Sequence, residues 1–258
     1  MTTLRMVGVI ARTRAALVIR DAQLMVFVIV MPVLLTAFLQ PAFRLILHNE
    51  GYPNANGAEQ AIPGAAALFG FNIGIFLAID IYRDHGWGVW DRVRTTEASA
   101  LEILLGLSVS YFVVGFLATL ADFALGAALF GLPIGGVLVP IAAVAAAYQL
   151  CVVGLGLALA AVTRTLQQVS ASGQPIAVLL AIAGGAFMPL SVLPDWAQHL
   201  APASPTYWAM RSWRSSLLEG VGIGGALLPC AVLVAFAAGG VAVTAWRLRP
   251  AESKTGWA

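Results

Sequence analysis

Few side chains in this sequence could make or break a bond, and each kind of chemistry can be tested against the spacing of its residues. A phosphate-cradling loop needs glycines that expose backbone N–H groups and a lysine that reaches the β and γ phosphates. The one lysine is Lys254, in a polar tail without a glycine-rich approach, so a Walker-type nucleotide site is not expected in this chain. Ser172 beside Gly173, with His199 further on, invites comparison with a serine hydrolase. The G-x-S-x-G context is missing, and a nucleophile without a positioned base is inert. Cys151 and Cys230 each lie inside an apolar run, where cysteine behaves as a small buried hydrophobe, so neither a disulfide framework nor a metal site is expected. Asp122 remains. An ionisable group in the middle of an apolar run is costly in a bilayer, and marks either an ion relay or a protonated, hydrogen-bonded carboxyl. Repeats and broken helices of the secondary-transporter kind are not evident, which favours the second alternative. No catalytic, cofactor-binding or metal-binding residues are assigned.

The elements that hold these residues follow from composition. Of 258 residues 60% are hydrophobic and 10% charged, against about 25% charged in soluble domains. That describes an all-α integral membrane protein with a single transmembrane domain over residues 1–258. A span needs about 20 predominantly apolar residues, and six stretches qualify: 24–43, 62–81, 109–131, 137–162, 169–190 and 226–246. The first is too long for a signal-peptide core and no small-residue cleavage site follows, so it is expected to be retained. Ahead of it, residues 4–21 read as an amphipathic interfacial helix. Arg5, Arg12 and Arg20 fall on one arc, with Leu4, Val7, Ile10, Ala11 and Val18 opposite, but Arg14 lands on the apolar side. Gly70-x-x-x-Gly74 has the spacing of a close helix contact, although such spacing arises easily in a glycine-rich chain.

Six spans put both termini on one side. Eleven basic residues (Arg5, Arg12, Arg14, Arg20, Arg83, Arg92, Arg94, Arg164, Arg247, Arg249 and Lys254) share that side, against Arg44, Arg211 and Arg214 on the other. The positive-inside rule makes the first side cytoplasmic and the location a bacterial-type inner membrane. The net charge of +2 is spread over loops, which excludes a nucleic-acid footprint.

Two inter-span stretches stand out. The cytoplasmic one, residues 82–105, collects Arg83, Asp84, Asp91, Arg92, Arg94, Glu97 and Glu102 with Trp87 and Trp90. Either it is an aromatic belt with solvated charges or a docking surface. The outer one, residues 191–225, is rich in Trp and Pro and sparsely charged, which suits short helices at or dipping into the interface.

The order of features in the first stretch, a span, a short basic helix, and then Glu97-Ala98-Ser99-Ala100-Leu101-Glu102 leading into the next span, resembles the segment that permeases of type 2 ABC exporters present to their ATPase. The second stretch is similar to that family's pattern after its fifth span. It runs Phe187-Met188-Pro189-Leu190-Ser191-Val192-Leu193-Pro194-Asp195-Trp196, then Pro205-Thr206-Tyr207-Trp208 and Arg214. The resemblance covers the whole chain and is strongest to bacterial drug and antibiotic efflux permeases. One departure is Gly86-Trp87-Gly88, where each glycine is about 1 kcal/mol worse than alanine in a helix; a coupling helix is expected to start near Gly88.

The resemblance implies a non-enzymatic permease subunit, paired in the lipid bilayer with a second, identical or similar membrane half and with two separate ABC ATPase subunits that carry the ATP and Mg. It implies ATPase coupling through Trp87, Trp90, Asp91, Arg92, Arg94 and Glu97. An outer gate would include Pro194, Trp196, Tyr207 and Trp208. A substrate pathway for an amphipathic small molecule, drug or lipid-like compound would run along the second and fifth spans, past Phe71, Asn72, Phe76, Gln174, Phe187 and Met188. Two alternatives stay open: a secondary transporter relaying ions through Asp122, and a membrane assembly subunit without transport.

Overall fold

The structure is a computed structural model that describes residues 3–86 and 99–247. Among these residues it is built of helices, six of them long and apolar enough to cross a membrane, as expected from the hydropathy pattern.

Helix α1, Thr3–Arg20, precedes the spans. Asp21 ends it and starts the next, because its carboxylate accepts hydrogen bonds from the backbone N–H groups of Gln23 (3.0 Å) and Leu24 (3.2 Å), which otherwise lack intrahelical partners. Helix α2, Ala22–Asn49, contains a five-residue π-helical segment, Val26–Val30. That wider turn precedes Pro32, whose missing N–H already interrupts the backbone ladder. Helix α3 covers Ala58–Gly86, α4 covers Ala100–Phe130, α5 covers Leu138–Val162 and α6 covers Leu166–Ala183. A short α7, Asp195–Leu200, and a longer α8, Pro205–Glu219, lead to α9, Ile223–Arg247.

Helices α3 and α5 form the centre of the bundle, and glycine lets them approach. A β-carbon on Gly156 of α5 would sit 2.4 Å from the Gly74 carbonyl oxygen of α3, and one on Gly154 2.7 Å from the Ala237 carbonyl oxygen of α9. Gly70 and Gly74 both face α5, so the Gly70-x-x-x-Gly74 spacing marks a real helix crossing. Around Tyr148 of α5 the core is aromatic. The Trp213 ring of α8 meets Tyr148 edge to face at 5.7 Å and lies tilted at 5.3 Å from Phe123 of α4, and Phe71 of α3 lies 5.7 Å from Tyr148. The Trp213 indole N–H donates to the Ile141 carbonyl (3.3 Å) and the Tyr148 hydroxyl to the Ala67 carbonyl (2.7 Å), which satisfies the polar tips of rings that are otherwise buried.

Three boundaries differ most from the hydropathy pattern. The first span runs on to Asn49 through Pro41. The third begins at Ala100 rather than 109, because Ser99 and Glu102 form a reciprocal capping box, a signature present in the sequence as S-x-x-E. The fifth stops at Ala183, short of residue 190. Gly184 packs against Thr206 and Tyr207, and Gly185 takes φ +80°, a left-handed turn that suits glycine. Phe187 and Met188 therefore lie beyond the helix, in the turn that leads to Pro189.

Candidate transport and coupling sites

At the end of the bundle that holds α1, charges and backbone tie three elements together. The inward stripe of α1 is Val7, Ile10, Ala11, Arg14, Ala15 and Val18, at the spacing of one helix face. Arg14 belongs to that stripe because its guanidinium pairs with the buried carboxylate of Asp84, in the last turn of α3. The basic residue that broke the amphipathic pattern is thus neutralised by a partner 70 residues away. The same helix seats on the start of α4: Ile10 packs against Gly106, and the Ser110 hydroxyl donates to the Ala11 carbonyl (2.9 Å). One turn deeper, the Tyr111 hydroxyl of α4 donates to Asp80 of α3 (2.6 Å), with Arg83 3.8 Å from the same carboxylate. Helix α1 therefore grips both the chain entering and the chain leaving the loop that carries Trp87, Trp90, Asp91, Arg92, Arg94 and Glu97. Those six residues lie outside the described residues.

Midway along the bundle an apolar cavity of about 220 Å³ opens between α3, α5 and α6, with Phe71, Gly74 and Ile75 on one wall and Gly173 and Ala177 on another. Beside it, the Gln174 side-chain N–H of α6 donates to the Asn72 side-chain oxygen of α3 (2.8 Å), and the Asn72 amide donates to the Phe69 carbonyl (3.1 Å). The two mid-span amides named from the sequence satisfy each other. Phe76 is buried in the same helix, and Phe187 and Met188 sit at the far end of the bundle. Asp122 is buried in α4, and one of its carboxylate oxygens meets no hydrogen-bond partner. Sequence inspection passed over Gln149 of α5, fully buried, whose amide N–H donates to Thr119 (2.8 Å).

At the end opposite α1, the link between α2 and α3 is fastened to α8. Glu50 accepts from Arg214 (2.7 Å) and from the Ser191 hydroxyl, and the Tyr52 hydroxyl donates to Glu219 (2.9 Å). The Glu219 bond, with burial, raises the Tyr52 phenol above its ordinary range. Tyr207 and Trp208 meet edge to face at 5.2 Å, and the Trp208 indole N–H donates to the Pro202 carbonyl (3.0 Å). Pro194 holds the N-cap position of α7, from which Trp196 projects, 68% exposed. The four residues named as a gate thus share this end of the molecule, with Trp196 apart from the Tyr207–Trp208 pair.

A bundle of six membrane-length helices, preceded by α1 and with α8 packed against α5 before the last of them, defines a polytopic membrane protein. The model of the ABC-2 type transporter family matches residues 6–218, and the chain belongs to that family. It is also similar to the linearmycin resistance permease protein LnrN of Bacillus subtilis (strain 168), with 32% identity over 151 residues. That alignment covers 58% of this chain and 39% of the relative. No solved structure matches the chain.

Proposed function

We propose that this chain is the membrane-spanning subunit of an ATP-driven exporter for an amphipathic small molecule, drug or lipid-like compound. Its termini and the loop between α3 and α4 would lie in the cytoplasm of a bacterial inner membrane, and it would work with a second membrane half and two ATPase subunits. Family membership and the resistance permease among its relatives support an export role and argue against ion coupling through Asp122.

The observation that carries the mechanism is the double grip of α1. Any displacement of the 87–98 loop is passed at once to the last turn of α3, through Arg14–Asp84, and to the first turns of α4, through Ile10–Gly106 and Ser110. ATP can move the membrane half only through differential affinity for its inward- and outward-open forms, and a loop clamped at both ends delivers that difference to the central helices. The substrate would travel between the two halves along α3 and α6, past Phe71 and the Asn72–Gln174 pair, where apolar walls with a few fixed polar groups suit amphipathic ligands.

Trp90→Ala combined with Asp91→Ala tests this. In proteoliposomes with the cognate ATPase, the double variant should fold and insert normally, lose at least tenfold in export, and lose substrate stimulation of ATP hydrolysis. Export at the wild-type rate would overturn the coupling role of the loop.

A further inference from the structure

The apolar cavity between α3, α5 and α6 is a slot, and two adjacent residues of α3 give it that shape. Gly74 admits α5: a β-carbon on Gly156 would lie 2.4 Å from the Gly74 carbonyl oxygen. Ile75 receives α6, where a β-carbon on Gly173 would lie 3.1 Å from the Ile75 side chain. Helices α5 and α6 are thus seated on neighbouring positions of α3, yet they scarcely touch each other. The gap between them is the cavity of about 220 Å³, and every residue that lines it is apolar. Along α5 it extends from Val152 to Val162, about 15 Å of helix. Val162 and Ile176 on its rim are exposed, so the slot opens on the flank of the bundle. An apolar void offers water no hydrogen-bond partner and stays dry, and left empty it costs stability in proportion to its size. Within membrane spans such a slot calls for hydrocarbon. The turn at its α1 end supplies a charge. There the Tyr82 hydroxyl donates to the Thr163 carbonyl (2.5 Å) and the Arg164 backbone N–H to the Gln168 side-chain oxygen (2.8 Å), which fixes the turn between α5 and α6. Arg164, two residues beyond Val162, is exposed, and its guanidinium has no carboxylate partner among the described residues.

We infer that the slot takes the single hydrocarbon chain of an anionic amphiphile drawn from the cytoplasmic leaflet, with its acidic headgroup on Arg164, and that such amphiphiles are the substrate class of this exporter. The substrate assignment rests on the export role proposed above; the binding site rests only on α5, α6 and their turn. Charge selects the headgroup. Guanidinium forms strong charge-assisted bonds with phosphate or carboxylate oxygens, and it repels a cationic amphiphile. Width selects the chain. Because α5 and α6 diverge from neighbouring residues of α3, the slot has room for one chain, and the second acyl chain of a phospholipid stays outside. Position links the slot to transport. Phe71 and Gly173 line it, and Gln174, the next residue, bonds Asn72 at 2.8 Å. A chain lying in the slot is therefore already beside the route along α3 and α6.

The test is photo-cross-linking of the full-length chain, in phosphatidylcholine nanodiscs without ATPase, by dodecyl phosphate carrying a diazirine at the end of its chain, with adducts mapped by mass spectrometry. Adducts should saturate and concentrate on slot residues such as Leu155 and Ile176. Unlabelled dodecyl phosphate should suppress them at least tenfold, whereas dodecyltrimethylammonium and the two-chain dimyristoyl phosphatidic acid should do so less than twofold. Arg164→Ala should raise the half-saturating concentration at least fivefold and Arg164→Lys less than twofold; Arg12→Ala, on α1 at the same end, should change nothing. Ala158→Phe, which fills the slot, should cut the adducts at least tenfold. Adducts that fail to saturate, or that spread over the exposed apolar faces of all spans, would overturn the site. Equal competition by the two-chain lipid would show a bilayer lipid as the occupant and overturn the single-chain assignment. Equal competition by the cationic amphiphile, or an unchanged Arg164→Ala, would overturn the role of Arg164. If Ala158→Phe fails to fold, the competitors and the Arg164 variants decide the matter alone. Proteoliposomes with the cognate ATPase should export dodecyl phosphate; saturable slot labelling without its export would overturn the substrate assignment alone. Because the cross-linking reads binding without ATPase, failure of the slot and failure of the export role are distinguishable.

Discussion

A side-chain amide in the middle of a membrane span has few ways to be satisfied, and Asn72 and Gln174 show one of them. The Gln174 N–H meets the Asn72 oxygen at 2.8 Å and joins α3 to α6 beside the apolar cavity. Interhelical hydrogen bonds in membranes average about 0.6 kcal/mol and reach about 1.7. Asn72→Leu and Gln174→Leu should therefore each cost about 1 kcal/mol, and the double variant should cost less than their sum by 0.5 kcal/mol or more, because both singles remove the same bond. Reversible unfolding of the purified chain in mixed micelles measures that coupling; a value of zero would mean the pair is not formed in the membrane. A sequence names such residues but not their partners. Asn72 and Gln174 are 102 positions apart, as Arg14 and Asp84 are 70 apart, and neither pairing has a local signature. Arg14 shows the consequence. Read alone it spoils the amphipathic pattern of α1, and beside Asp84 it completes the face.

Whole elements were far more legible, because a bilayer asks for about 20 apolar residues and the sequence supplies six such runs. What hydropathy hides is where a helix ends inside apolar sequence. Gly184 and Gly185 are as apolar as their neighbours, yet Thr206 and Tyr207 crowd the first and the second turns left-handed, so α6 stops at Ala183. The Ser99–Glu102 capping box could have been read locally and sets the true start of α4. Helix crossings are a second case, since only contacts distinguish a glycine that is needed from one that is incidental. Gly239 and Gly240 are neighbours on α9. A β-carbon at Gly240 would lie 2.4 Å from the Gly154 carbonyl oxygen, while one at Gly239 meets nothing within 4 Å. Overpacking costs about 1–3 kcal/mol, and relief of glycine in a helix returns up to about 1 kcal/mol. Gly240→Ala and Gly156→Ala should lower the melting temperature in detergent, whereas Gly239→Ala should leave it unchanged or raise it. Equal melting of the Gly239 and Gly240 variants would show that α5 and α9 do not pack this closely.

At the scale of the molecule, the proposed export role makes orientation in the membrane decide which end would meet an ATPase and which would release substrate. The two ends differ in charge and in chemistry. The α1 end carries Arg5, Arg12, Arg14, Arg20, Arg83 and Arg164, and Asp80 and Asp84 are drawn into pairs that brace α1, α3 and α4. The opposite end carries three arginines, and its exposed Trp196 together with Tyr207 and Trp208 has the aromatic character of a membrane–water interface. The charge asymmetry predicts that α7 faces away from the cytoplasm. Gln198 is exposed on that helix, and the native thiols give little background because Cys151 is buried and Cys230 partly so, within α5 and α9. Gln198→Cys should accordingly react with a membrane-impermeant maleimide added to intact cells as fast as it does after the cells are opened. Labelling that appears only after opening would place the α1 end outside, and with it the 87–98 loop, out of reach of any cytoplasmic ATPase. The coupling proposed through Arg14, Asp84 and Gly106 would then have no motor to serve.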